Sequence, residues 1–175
     1  MPQVDVVKHK SMKPVVFGVA SVAVVALIVG GVFWMMNQKQ KPTIAQATAK
    51  AVDLDSKGKY AEAEAVLLEA QPRAKTTADK ATILSRLAMT MEGRGDLNKA
   101  LQYLRDYEKL VPNDYGNTAA IGELAEQMGD KALAIQEYNK AADLLDAMPT
   151  NGNSDVKVSN ADEAASLRLR AKNVQ

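Results

Sequence analysis

Gly95-Asp96-Leu97-Asn98-Lys99-Ala100-Leu101-Gln102-Tyr103-Leu104-Arg105-Asp106-Tyr107-Glu108-Lys109-Leu110-Val111-Pro112 decides the fold, because its pattern returns on both sides. Gly95-Asp96 followed by Ala100 is echoed by Gly129-Asp130 followed by Ala134, and upstream by Gly58-Lys59 followed by Ala63. Gly129 lies 34 residues beyond Gly95, and Gly95 lies 37 beyond Gly58. A unit of about 34 residues is the period of a helix-turn-helix solenoid. Each unit is two amphipathic helices that cannot bury their apolar faces alone, so stacked neighbours supply the core. A small residue is then needed where two helices approach closely, as at Ala100 and Ala134.

These positions resemble the tetratricopeptide repeat (TPR) family, whose second helix opens after a Gly-Asp-like turn, carries a small residue one turn in, then a large apolar or aromatic residue, and ends at a proline. Gly95, Ala100, Leu104, Tyr107 and Pro112 stand in that order. So do Gly129, Ala134, Tyr138 and Ala141 and, more loosely, Gly58, Ala63, Leu67 and Ala70. The resemblance covers roughly residues 43 to 148 and implies an all-α protein built on a TPR-like α-solenoid of about three helical hairpins. In the third unit Thr118, Ile121, Gly122 and Ala125 stand where the family usually has larger apolar residues.

The hairpins can be read from the residues themselves. Thr43 with Gln46 fits a capping box for a helix running to about Ser56, with Ile44, Ala47, Ala51 and Leu54 on one face. Tyr60 to Ala70 is its partner. Thr76 with Asp79 caps the next helix, on which Ala81, Leu84, Leu87, Ala88 and Met91 form the buried stripe. Asp96 to Leu110 returns, with Tyr103 and Tyr107 as stack anchors; Tyr115 to Met128 and Asp130 to Ala147 make the third unit. Pro149 to Asn160 reads as a turn-rich linker, and residues 161–175 as a carboxy-terminal helix. That helix either caps the solenoid or detaches to occupy a groove or bind a partner.

Ahead of the repeats, Val15 to Met36 is 22 residues without a charge, rich in Val, Ala, Gly, Leu and Ile. At 1.5 Å per residue such a helix reaches about 33 Å, enough for a bilayer core of about 30 Å. The expected domains are therefore a basic tail (1–14), a transmembrane helix (15–36), a linker (37–42), the TPR-like domain (43–148), a second linker (149–160) and the terminal helix (161–175). Ala47-Thr48-Ala49 has the form of a signal cleavage site. The apolar run is too long for a cleavable signal, however, and the alanines lie too far beyond it, so an uncleaved signal-anchor is preferred. Lys8, Lys10 and Lys13 before the span nearly balance Lys39, Lys41 and Lys50 after it. The short basic head and the mildly acidic body, with 13 basic and 17 acidic residues over 43–148 (net −4), favour the amino terminus in the cytoplasm and the repeats outside. Within the span Ala26 and Gly30 form a small-xxx-small element.

Composition narrows the chemistry. A formal net charge of +1 argues against a nucleic-acid binder. Without cysteine there is no disulfide, thiolate metal site or cysteine nucleophile. The single histidine, His9, leaves little for a transition-metal cluster or an imidazole base. No Gly-rich phosphate loop or zinc-type His pair occurs, and the carboxylates read as solvated helix faces. The sequence thus predicts no catalytic, cofactor-binding or metal-binding residues and no cofactor.

Mapped from the family pattern, the concave surface made by the first helices of the three units would present Thr48, Val52, Asp55, Ser85, Met89, Glu92, Ala119, Glu123 and Glu126. It is mildly acidic and lacks the Lys and Asn residues with which some TPR proteins grip a terminal carboxylate. The expectation is a protein-protein interaction adaptor that takes a peptide segment or helix of another protein in this groove and meets the lipid bilayer through residues 15–36. The arrangement looks like bacterial membrane-anchored TPR proteins serving secretion, envelope assembly or chaperoning. The alternative is a self-associating structural component of a membrane complex, a homo-oligomer.

Overall fold

Gly58, Gly95 and Gly129 all adopt positive φ, at 70°, 82° and 76°. In each case the backbone N–H of the following residue reaches back five residues to a carbonyl: Lys59 to Leu54, Asp96 to Met91 and Asp130 to Ala125, at 2.9, 2.9 and 2.8 Å. This closure satisfies carbonyls that a helix end would otherwise leave bare, and only glycine enters the left-handed region without a Cβ penalty. The repeated glycine is therefore a repeated chain reversal. A computed structural model describes residues 41–149 and 154–174 of the 175, and Pro42–Gln175 forms one compact unit.

The elements are α1 (Ile44–Ser56), α2 (Tyr60–Ala70), a 3₁₀ turn (Gln71–Arg73), α3 (Thr77–Arg94), α4 (Leu97–Leu110), α5 (Tyr115–Gln127), α6 (Lys131–Asp146) and α7 (Ser154–Asn173). The starts of α1, α3, α4, α5 and α6 carry side-chain caps, whereas that of α2 does not. Thr43 and Gln46 exchange both bonds of a capping box, at 2.9 and 3.2 Å. Thr76, Asp114 and Asp130 each accept from the backbone N–H three residues on, at 3.0 Å, and such a cap contributes about 1 kcal/mol.

The hairpins α1/α2, α3/α4 and α5/α6 stack in chain order, and α7 packs on α6. Ala63, Ala100 and Ala134, the small residues of the repeat, are 0%, 1% and 0% exposed, so a larger side chain would meet a neighbouring helix. One cluster joins Ala47, Ala51 and Leu54 of α1 to Leu67 of α2 and to Ile83 and Leu87 of α3. A second joins Ala88 and Met91 to Ala100, Leu104, Ile121 and Leu124. A third joins Tyr138, Ala141 and Leu145 to Ala164, Leu167 and Ala171 of α7 and to Val174 just beyond it. Tyr103 packs against both the first and the second cluster, an anchor between units.

The undersized third unit is filled by an aromatic ring. A Cβ on Gly122 would stand 2.8 Å from Cδ1 of Tyr138, so the absence of a side chain on α5 is what lets that ring lie against it. The carboxy-terminal helix starts at Ser154, earlier than Ala161: with no Pro or Gly between 154 and 173, nothing stops the helix extending back.

The expected fold class needs correction at its amino-terminal end. Among the described residues no helix is long and apolar enough to cross a membrane. The two longest, α3 and α7, are amphipathic or polar: α3 carries Asp79, Lys80, Arg86, Glu92 and Arg94, and α7 carries Asp162, Glu163, Arg168, Arg170 and Lys172. The transmembrane helix expected at 15–36 lies outside the described residues. The fold is therefore an all-α, TPR-like helical stack with no membrane-spanning helix among its described elements. The single-pass localisation drawn from that helix, with the amino terminus cytoplasmic and the repeats outside, loses its support, as do the bilayer contact and the signal-anchor.

Candidate functional site: a cleft between the second and third units

The first helices of the units do not pack alike. α1 lies close against α3, whereas the backbones of α3 and α5 stand further apart and the two helices meet through Ala88, Met91, Ile121 and Leu124 of the second core cluster. They are tied near one end, where the Nε2 amide of Gln127 donates to Glu92. Away from that tie α5 presents Gly116, Asn117 and Ala120, side chains too short to fill the space. A cleft results, walled by α3 and α5 and floored by Leu104 and Tyr107 of α4.

Ser85 sits at its centre and lines three connected hollows. One of about 440 Å³ runs along Ala78, Ala81 and Thr82 of α3 to Tyr107 and Val111. One of about 250 Å³ lies over Leu104, Gly116, Asn117 and Ala120. The third, about 180 Å³, lies between Met89, Glu92 and Glu123. The lining carries the carboxylates of Glu92, Asp114 and Glu123 and no basic side chain, against an apolar floor.

Its polar groups are held in place. Asn117 is buried and its Nδ2 donates to the Leu104 carbonyl at 3.2 Å, bracing α5 on α4. The Tyr107 hydroxyl donates to Asp114 Oδ2 at 2.8 Å. Burial, reinforced by that carboxylate, pushes the Tyr107 hydroxyl up to about 12, so it stays a neutral donor across the physiological range.

Of the nine residues expected in the groove, Ser85, Met89, Glu92 and Glu123 line the cleft. Thr48, Val52 and Asp55 lie on α1, beyond α3. Thr48 is half-buried, with its hydroxyl on the Ile44 and Ala45 carbonyls. Asp55 accepts from the Thr90 hydroxyl at 2.9 Å, which fastens α1 to α3. Val52 is exposed. Ala119 packs against the third core cluster. Glu126 turns toward α6, where it accepts from the Tyr138 hydroxyl at 2.6 Å.

Sequence reasoning missed Ala78, Ala81, Thr82, Asn117 and Ala120. On α3 the signal was present: Ala78, Ala81, Thr82, Ser85, Met89 and Glu92 recur at three- and four-residue spacing. It also misread some carboxylates as solvated. Glu64 is 9% exposed and takes Arg94 and Lys99, and Glu137 is 1% exposed and takes Arg105 at 2.8 Å. Glu108 joins the latter group through Arg105 and Lys140; the ammonium of Lys140, with Arg105 beside it, holds its carboxyl below the usual range. The Glu137 cluster joins the second helices α4 and α6, and the Glu64 cluster joins α2 to Lys99 of α4 and to Arg94 at the end of α3. Among the described residues no group of His, Cys, Asp and Glu could hold a metal ion.

No protein-family model matches the sequence, and no curated protein matches it either. Solved structures do share its fold. PcrH from Pseudomonas aeruginosa superposes with a TM-score of 0.58 at 18% identity, covering 74% of this chain and 91% of its own. PcrH in complex with the chaperone binding region of PopB gives 0.56 at 18% identity, over 71% and 93%. The type III secretion translocator chaperone SycD of Yersinia enterocolitica gives 0.53 at 16%, over 81% and 94%. The chain thus has the TPR-like all-helical fold of these proteins.

Proposed function

We propose that the protein is a non-enzymatic binding adaptor whose α3–α5 cleft takes an extended or helical segment of another protein, in a secretion- or chaperone-type role. The observation that carries this reading is the cleft itself: Leu104 and Tyr107 form its floor, its charged lining residues are the carboxylates Glu92, Asp114 and Glu123, the last shared with Arg170, and its interior polar groups are fixed from behind. Such a surface suits a segment with apolar anchors and basic residues, since anchors supply burial and complementary charge supplies orientation. The structures of PcrH bound to the chaperone binding regions of PopB and PopD support it by analogy, because those proteins share the fold and hold a segment of another protein. An enzymatic role has little to stand on. Ser85 is central, but His9, the one histidine, lies outside the described residues, and the carboxylates nearby are engaged as acceptors.

Affinity capture from the protein's own cells with wild-type chain and with Ser85→Trp tests the proposal. The indole would fill the hollows around Ser85 without entering the core. A protein recovered with wild type and lost with Ser85→Trp is the expected result; equal recovery by both would overturn it.

A further inference from the structure

Glu123 faces two ways. It lines the narrow end of the cleft, and it also pairs with Arg170 of α7. The guanidinium of Arg170 is not merely near a carboxylate. Its Cζ stands 4.8 Å from the centroid of the Tyr138 ring, and Nη2 lies 3.5 Å from Glu126. The ring is fixed beneath it: one side rests where Gly122 has no side chain, and the hydroxyl is held by Glu126 at 2.6 Å. An aromatic face with two carboxylates at its edge matches a guanidinium in both charge and plane.

Arg170 is not what keeps α7 on the stack. Ala164, Leu167, Ala171 and Val174 bury a stripe against α6, and beside that stripe Arg168 reaches Asp143 and Asp146 of α6 at 2.8 and 2.7 Å. The side chain of Arg170 is itself 43% exposed. It can swing out while the helix stays docked.

We propose that Glu123, Glu126 and the face of Tyr138 form a subsite for an arginine side chain at the end of the cleft. Arg170 occupies it in the free protein, and a bound protein segment places its own arginine there instead. The inference rests on the cleft reading and adds a requirement to it: the segment carries an arginine beyond its apolar anchors. Arg170 then acts as a built-in competitor that selects against segments lacking one.

The test uses full-length protein and N-acetyl-arginine amide as the probe, followed by the amide NMR signals of Glu123, Glu126 and Tyr138. Arg170→Ala is expected to bind the probe about tenfold more tightly than wild type, because the tethered competitor is gone. Arg170→Gln, which keeps the apolar stem, should behave likewise, and it decides the matter if the alanine variant loses α7. Adding Glu123→Gln and Glu126→Gln should abolish the gain, and N-acetyl-glutamine amide should not bind. Equal probe binding by wild type and Arg170→Gln, or equal binding of both amides, would overturn the subsite. Failure here with capture still lost in Ser85→Trp leaves the cleft reading intact. Probe binding as expected with capture unaffected by Ser85→Trp removes the cleft reading and, with it, the claim that a bound segment supplies the arginine.

Discussion

The junction between the first and second units is closed and that between the second and third is open, although the same repeat builds both. Each is clamped through a buried carboxylate on a second helix, Glu64 with Lys99 and with Arg94 at the end of α3 in one case and Glu137 with Arg105 in the other. The difference lies on the first-helix side. There Ala47, Ala51 and Leu54 of α1 meet Ile83 and Leu87 of α3, and Asp55 takes Thr90. At the next junction α5 offers Gly116, Asn117 and Ala120, and the helices part. In the proposed reading, a repeat becomes a binding surface by leaving one interface underfilled while ion pairs elsewhere hold the units together.

The largest effect expected from this contrast is at the closed junction. Leu87 is fully buried there, and Leu87→Ala should cost about 2–5 kcal/mol. Chemical denaturation would show it as a lower midpoint with unchanged slope, whereas Met89→Ala, two residues away and 54% exposed, should change stability little. Equal losses at the two positions would mean that the junction is not closed as described.

Next comes the clamp behind the open junction. Arg105→Ala leaves Glu137, 1% exposed, with only Lys140 at 4.0 Å, and should cost about 3 kcal/mol, as for other stranded buried charges. Restoring most of that stability by adding Glu137→Leu would show that the loss came from an unpaired charge. No restoration would mean that the arginine acts through packing instead.

A smaller effect concerns the cleft floor. The Tyr107 hydroxyl titrates at about 12 in the fold, against about 10 in an unfolded chain. A raised value favours the neutral form, so its stabilisation is complete below pH 10 and is lost between about pH 10 and 12. Tyr107→Phe should make the fall in melting temperature over that window shallower. The fall should persist in part, because burial also raises Tyr103 and Tyr138. An unchanged slope would place the hydroxyl in solvent.

How much of this the sequence shows depends on whether a feature is local. Turn glycines, the caps at Thr43 and Thr76 and the small residues Ala63, Ala100 and Ala134 are set by short local stretches and were legible, whereas the caps at Asp96, Asp114 and Asp130 were not read. The role of Gly122 was not, because it depends on the Tyr138 ring sixteen residues away. Glu64 and Glu137 look like other helix carboxylates until cations some 30 residues away are brought against them. In the candidate site, the family pattern pointed to Ser85, Met89, Glu92 and Glu123. The splay that makes a cleft of them arises from the sum of side-chain sizes across two units, which no single stretch reveals. Arg170 likewise lies 47 residues from Glu123 and came from a helix whose two readings, cap or detachable segment, could not be separated by pattern alone.

The most direct test of the open junction as the binding surface is site-specific photo-crosslinking in intact cells. A photoreactive residue is placed in turn at Thr82 and Ser85 in the cleft, at Val52 beside the closed junction, and at Leu68 on α2. The cleft positions should give one discrete protein adduct that Val52 and Leu68 do not. Adducts of equal yield at all four positions, or a discrete adduct from Val52 or Leu68 alone, would contradict the account.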